Sequence, residues 1–167
     1  MKLYVKKSYK DYVLYSVIIA VGIFLDWLTK FLSVKFLKPI GKRPIIEGVI
    51  QLRYLENTGA AFGMMKNAPW IFNTVSVVTI IAMSAYLYLG HAENNLYAVA
   101  SAMIVSGGIG NMIDRVSLKY VVDFIDFRLI DFAVFNGADS FICVGAGLLI
   151  LALVIDVVKE YRKERSK

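Results

Sequence analysis

The 167 residues contain one cysteine and one histidine, and that shortage removes whole classes of chemistry. Cys143 has no second thiol to pair with, so an intrachain disulfide is excluded and the side chain reads as packing inside an apolar stretch. His91 stands alone in a short polar connection and reads as a surface residue. Without further histidines there is neither a plausible zinc set nor a serine, histidine and aspartate triad. Charge is the third scarcity. Pro69 to His91, Leu96 to Ile113 and Ser140 to Ile155 contain no Lys, Arg, Asp or Glu, and the chain is 58% hydrophobic with a mean hydropathy of +0.62. Those values lie above the range of soluble domains and describe a membrane protein.

A hydrocarbon core takes roughly 20 helical residues to cross. The expected architecture is an all-α integral membrane protein, a single domain over 1–167 with four transmembrane helices at about 12–37, 69–90, 96–114 and 139–157. The apolar runs are continuous rather than alternating, which favours helices over barrel strands. Asp26 and Lys30 interrupt the first span. Because that span runs on past Lys2, Lys6, Lys7 and Lys10 without a small-residue cleavage site, it reads as a retained helix rather than a removed leader. Nine of the 19 basic residues crowd into the two tails, which places both termini in the cytoplasm.

Four spans with both tails on one side put the connections at about 38–67 and 115–138 on the other, extracytoplasmic, face. The polar residues Asp26, Lys30, Asn57, Asn111, Asp114, Arg115, Asp123, Asn136 and Asp139 gather there. Ile50, Leu52 and Tyr54 alternate with Gln51 and Arg53, a period of two that predicts a short strand in a small β element resting on the membrane. In the second connection, Phe124, Phe127, Leu129, Ile130 and Phe132 interleave with Asp123, Asp126, Arg128 and Asp131, as in an interfacial segment lining an entrance from lipid.

Each feature also has a plain structural reading. Asp26 and Lys30, four apart, form an ion pair that hides both charges. Gly107, Gly108 and Gly110 either permit close helix contact or serve a site. Asn111 either bonds a helix end or touches a substrate or carboxylate, and Asp126 and Asp131 read as solvated acids. Asp123 and Asp139 are different: carboxylates near hydrocarbon cost several kcal/mol each unless partnered, and two on one face suggest a dyad.

Five runs then carry a resemblance. Asp26-Trp-Leu-Thr-Lys30, Asn57-Thr-Gly-Ala-Ala-Phe-Gly63, Gly107-Gly-Ile-Gly-Asn-Met-Ile-Asp-Arg115, Val122-Asp-Phe124 and Phe135-Asn-Gly-Ala-Asp-Ser140 resemble lipoprotein signal peptidase, also called signal peptidase II, in the family's order. Two positions depart from its pattern: Trp27 stands where glutamine is common, and Gly137 where a larger apolar residue is usual, which would loosen the loop presenting Asp139.

The resemblance implies an aspartic endopeptidase of the bacterial inner membrane that cleaves diacylglyceryl-modified prolipoproteins just before the lipidated cysteine. It implies Asp123 and Asp139 as the catalytic pair. It implies Asn57, Gly59, Asn111, Arg115, Asn136 and Ala138 around the substrate, Asp26 and Lys30 as support, and no metal or cofactor. Asp114 is not in the catalytic position of that pattern. The implied partners are prolipoproteins and membrane phospholipids, with no nucleic acid, and the chain is expected to act as a monomer. Water is then the nucleophile, with one proton shared between the acids. The positive end of helix 4 favours Asp139 as the ionised base. Two other classes stay open: a magnesium-dependent lipid transferase or phosphatase using Asp123, Asp126 and Asp131, and a transporter or assembly subunit relaying protons through Asp26, Lys30 and Asp139.

Overall fold

A computed structural model describes residues 7–59, 69–92 and 94–166. The chain runs α1 (Tyr9–Leu32), a π-helical turn (Ser33–Leu37), β1 (Lys42–Ile46), β2 (Ile50–Asn57), α2 (Pro69–Tyr88), α3 (Asn95–Ser117), β3 (Val121–Phe127), a 3-10 turn (Arg128–Ile130) and α4 (Gly137–Arg165). Of the four apolar helices, α1 with its π turn, α3 and α4 are long and apolar enough to cross a bilayer, and α2 is a shorter apolar helix. Side chains at the helix entrances hold three of them. Ser8 and Asp11 form a capping box on α1, Asn94 accepts the N–H groups of Leu96 and Tyr97 on α3, and Asn136 and Asp139 form a second box on α4. Each satisfies backbone donors that have no partner inside the helix.

The α3 helix is the hub, packed against α1, α2 and α4. Its sequence explains why: Ala98, Ala100, Ser101, Ala102, Ser106, Gly107 and Gly110 are all buried, and small side chains let helices approach closely where no hydrophobic effect drives them together. A Cβ at Gly107 would collide with the Ala138 carbonyl oxygen of α4, and one at Gly110 would lie 2.6 Å from an Asp26 carboxylate oxygen of α1. Gly145 on α4 is as tight, with the Ala100 carbonyl 2.8 Å from the position of its missing Cβ. Close helix contact is therefore what these glycines permit. At the end of the bundle away from the sheet, Tyr15, Leu87, Ala92, Tyr97, Ala98, Ala102 and Ala152 close a tight apolar cluster. Outward, Val21, Phe24, Val78, Ile81, Ile150 and Val157 stay exposed, the expected surface of a helix facing lipid.

The strands form one antiparallel sheet in the order β1, β2, β3. The predicted strand at Ile50 is present and longer than expected, extending to Asn57. The segment expected as a purely interfacial loop contains β3, whose register sets Leu55 against Asp123 and Gln51 against Asp126. Asp126 is buried at 4% exposure and accepts from Gln51 Nε2 at 2.6 Å, so it is not the solvated acid its sequence suggested. Asp131 is exposed, in the left-handed conformation at φ 45°. Helix boundaries also shift. The α4 helix starts at Gly137 and continues to Arg165, past the limit read from hydropathy, because nothing between Ile155 and Arg165 stops a helix. Gly137 thus lies in the first helical turn rather than in a loop, and Trp27 faces outward at 54% exposure, stacked on Phe31. Cys143 is exposed on α4 rather than packed.

The glycine geometry yields a paired expectation. Gly107→Ala drives a methyl into the α4 backbone and costs about 1–3 kcal/mol of stability. Gly147, with nothing within 4 Å of a new Cβ, accepts alanine at no cost. Thermal unfolding of both variants in detergent checks this, and equal midpoints would contradict it.

Candidate active site

Three elements deliver the polar residues to one place. Asp123 lies mid-strand on β3, Asn111 and Arg115 on the last turns of α3, and Asn136 and Asp139 at the N-terminus of α4. Asn57, the last residue of β2, arrives from the fourth direction. Asn57, Gly59, Asn111, Arg115, Asp123 and Asp139 line a single cavity of about 510 Å³. Its remaining wall is largely apolar, built from Val121, Phe127, Ile130, Phe132, Val134 and Phe135, with Ser140 beside Asp139 and Cys143 one turn below it. Phe127, Ile130 and Phe132 come from the segment expected to line an entrance from lipid, whereas Val121 and Val134 carried no signal of their own in the sequence.

Inside the cavity, hydrogen bonds leave little freedom. Asn136 is fully buried and joins the two acids: its Nδ2 donates to Asp123 Oδ1 at 2.7 Å, and its backbone N–H to Asp139 Oδ2 at 3.2 Å. Asn111 Nδ2 donates to Asp139 Oδ1 at 2.7 Å, and Asn57 Nδ2 to Asp123 Oδ2 at 2.8 Å. All four carboxylate oxygens therefore accept a hydrogen bond.

The orientation of each amide is forced by a group that can only donate. Asn57 Oδ1 takes the Gly59 N–H at 3.0 Å, so its NH2 must face Asp123. Asn136 Oδ1 takes the Asp139 N–H at 3.0 Å, so its NH2 must face Asp123 and the Asn111 oxygen. Asn111 Oδ1 takes the Lys30 ammonium at 3.1 Å, so its NH2 must face Asp139.

Asp123 is 1% exposed, and its pKa is pushed up to about 7. Burial is the main cause, and the negative charge of Asp139 adds to it. Donation from Asn57 and Asn136 and the Lys30 cation pull the other way. Asp139 occupies the third position of α4, where the unsatisfied N–H groups and the helix dipole favour negative charge. One acid of the pair is thus held toward its protonated form beside another at a positive helix end. Arg115 is half-buried on the cavity wall, with no carboxylate within 4 Å among the described residues, and the charges of Asp139, Asp123 and Asp114 act on it from farther away.

Asp26 and Lys30 do pair, at 2.7 Å, but behind the cavity rather than on its wall. Ala138 is buried and not on the cavity wall; its N–H goes to Asp26 Oδ1 at 2.8 Å. Asp123, Asp126 and Asp131 do not converge on a magnesium site: no such acid cluster occurs among the described residues, Asp126 is bonded to Gln51 and Asp131 is exposed. Of the run from Asn57 to Gly63, the part beyond Gly59 falls outside the described residues.

The family model for signal peptidase (SPase) II matches residues 18–155. This chain belongs to the signal peptidase II family. Its members are membrane proteases of lipoprotein processing, and the comparisons span most of the chain. A lipoprotein signal peptidase of Caldanaerobacter subterraneus subsp. tengcongensis is 52% identical over 133 residues, covering 80% of this chain and 90% of that one. One from Streptococcus pyogenes is 41% identical over 130 residues, covering 77% and 85%. Among solved structures, a bacterial membrane enzyme determined in meso at 2.3 Å superimposes with a TM-score of 0.78 at 30% identity, covering 86% of this chain and 89% of that one. A second, at 1.9 Å, gives 0.74 at 31% identity, covering 84% and 92%.

The hydrogen-bond pattern makes one spectroscopic expectation. Asn57 donation favours ionised Asp123, so Asn57→Leu raises the pH at which Asp123 ionises above its value of about 7. An infrared titration of the protonated carboxyl stretch reads it directly, and an unchanged or lower pH would contradict the assignment.

Proposed function

We propose that this signal peptidase II family member is an aspartic endopeptidase that cuts diacylglyceryl-modified prolipoproteins immediately before the lipidated cysteine, with Asp123 and Asp139 as the catalytic pair. The observation that carries the reading is their shared hydrogen-bond partner: Asn136 donates to both, in a cavity that both line. Two acids so linked, one held toward the protonated form, are the groups that water needs for peptide hydrolysis.

The steps follow from the protonation states. Ionised Asp139 takes a proton from water as the water oxygen bonds to the scissile carbonyl carbon, while protonated Asp123 gives its proton to the carbonyl oxygen. A neutral diol results. Asp139 then passes its proton to the departing nitrogen as the C–N bond breaks, and Asp123 recovers a proton from the collapsing diol. The products are a signal peptide ending in a carboxyl group and a free amine on the lipidated cysteine. Both acids return to their starting states.

The same cavity suits the substrate. Its aromatic and aliphatic wall accepts apolar peptide side chains or the stems of acyl chains that remain in lipid, and Arg115 with Asn57 offers donors to peptide carbonyls. Exposed Ile130 and Phe132 border it, as an entrance at the bilayer surface would require. In the bacterial inner membrane the basic tails would lie in the cytoplasm and the sheet at the extracytoplasmic surface, where exported substrates and phospholipid headgroups meet. Both aspartates of this reaction come from one chain, which would act as a monomer.

The test uses purified protein in detergent with a lipid-modified precursor and its unmodified counterpart. Asp123→Asn and Asp139→Asn each lower kcat by about 10²- to 10⁴-fold with KM little changed. The unmodified precursor is cleaved far more slowly. With Asp123 as the acid, activity of the native protein declines as pH rises through about 7, because the required proton is lost there. Activity that survives either substitution, or that increases steadily above that pH, would contradict the assignment.

A further inference from the structure

Behind the dyad lies a cluster that shares none of the cavity wall. Lys30, Asp26 and Asp114 are buried at 4%, 2% and 9% exposure, and the Lys30 ammonium lies 2.7 Å from Asp26 Oδ2 and 3.1 Å from Asp114 Oδ2. One cation facing two anions is a poor way to bury charge. A simple ion pair would leave less net charge in a medium where desolvation costs several kcal/mol per ion. The second carboxylate therefore calls for a reason.

That reason is in the backbone. Asp26 Oδ1 accepts the N–H of Ala138 at 2.8 Å, and Asp114 Oδ2 accepts the N–H of Val122 at 3.0 Å. Ala138 immediately precedes Asp139, and Val122 immediately precedes Asp123. Each supporting carboxylate thus holds the peptide group next to one member of the dyad. The ammonium has three protons. It is ion-paired with both carboxylates, and it donates a hydrogen bond to Asn111 Oδ1 at 3.1 Å, the bond that turns the Asn111 NH2 toward Asp139.

Resting on the dyad reading above, we propose that Lys30 is a positioning residue for both aspartates: through Asp26 and Asp114 it sets the spacing of the β3 and α4 backbones, and through Asn111 it orients a donor on Asp139. Asp114, adjacent to Arg115 and outside the catalytic pattern, acquires a role as the β3 arm of this clamp. Gly110 belongs to it as well, because a side chain there would occupy the position of the Asp26 carboxylate.

A clamp of this kind acts on the geometry of the reacting groups, so its loss separates kcat from KM. Misplacement by about 1 Å costs on the order of 10²-fold in rate. The decisive variant is Asp26→Asn/Lys30→Met/Asp114→Asn, which removes all three charges together and leaves no unpaired ion to unfold the protein. Its kcat on a lipid-modified precursor falls at least tenfold while KM stays within about threefold. Lys30→Arg keeps the charge but replaces a compact ammonium with a wider planar fork that cannot take the same place between Asp26, Asp114 and Asn111. It shows the same loss, and it decides the matter alone if the triple variant does not fold. The exposed pair Lys38 and Glu56, 2.8 Å apart, serves as control: Lys38→Met/Glu56→Gln leaves both constants unchanged. Native kcat in Lys30→Arg, or parallel changes in kcat, KM and melting midpoint in the triple variant, would overturn the proposal by reducing Lys30 to charge balance or general stability. Asp123→Asn run on the same precursor keeps the two ideas separable, since an active Asp123→Asn would sink the dyad itself.

Discussion

Carboxylates near hydrocarbon must be supplied with hydrogen-bond donors, and most of the polar architecture at the sheet end of this protein answers that requirement. Asp123 and Asp139 receive four donations between them, from three asparagine side chains and one backbone N–H. An asparagine can face either way, so the arrangement holds only because each amide is pinned by an obligate donor. For Asn57 and Asn136 that donor is a backbone N–H, and for Asn111 it is the Lys30 ammonium. The direction of hydrogen bonding is fixed along the chain of contacts from Lys30 to the dyad.

Helix packing makes those contacts possible. Gly107 lets the α4 backbone approach α3 closely, and Gly110 admits the Asp26 carboxylate against α3. Without them Asn111 and Asn136 would not reach each other at 3.0 Å. Asn136 combines two tasks that are usually separate, capping α4 and bridging the acids, so the start of the helix and the geometry of the dyad are one structural feature. That coupling also sets apart the two carboxylates. Asp139 sits where a helix end favours its charge, whereas Asp123 lies on a strand with no dipole to offset its burial.

Much of this was legible in the chain, and the omissions have physical causes. Uncharged runs marked the apolar helices because hydrocarbon excludes charge, and the period-two pattern at Ile50 to Tyr54 revealed β2, although only Arg53 and Glu56 of that strand are exposed and its register shifts between Leu52 and Leu55. The β3 strand lacked any such pattern: from Val121 to Phe124 both faces are buried, so alternation disappears. Asp126 looked solvated because its partner, Gln51, lies 75 residues away and becomes adjacent only through strand register. Topology put Asp123, Asp139 and the three asparagines on one face, and the resemblance to a family then singled the two acids out from the others there. What the family runs could not convey was direction, namely which atom of each amide faces an acid, because that depends on donors contributed by other elements. Asp114 went unassigned for the same reason: its value lies in a backbone N–H eight residues ahead and a lysine on another helix.

The central claim is that Asp123 and Asp139 act together on one scissile carbonyl. It is tested most directly by a structure with a lipid-modified peptide whose scissile carbonyl is replaced by a secondary alcohol, a mimic of the diol. The alcohol oxygen is expected within about 3 Å of a carboxylate oxygen from each aspartate, inside the cavity lined by Asn57 and Arg115. An alcohol bound to only one of them, or seated elsewhere in the protein, would contradict the account.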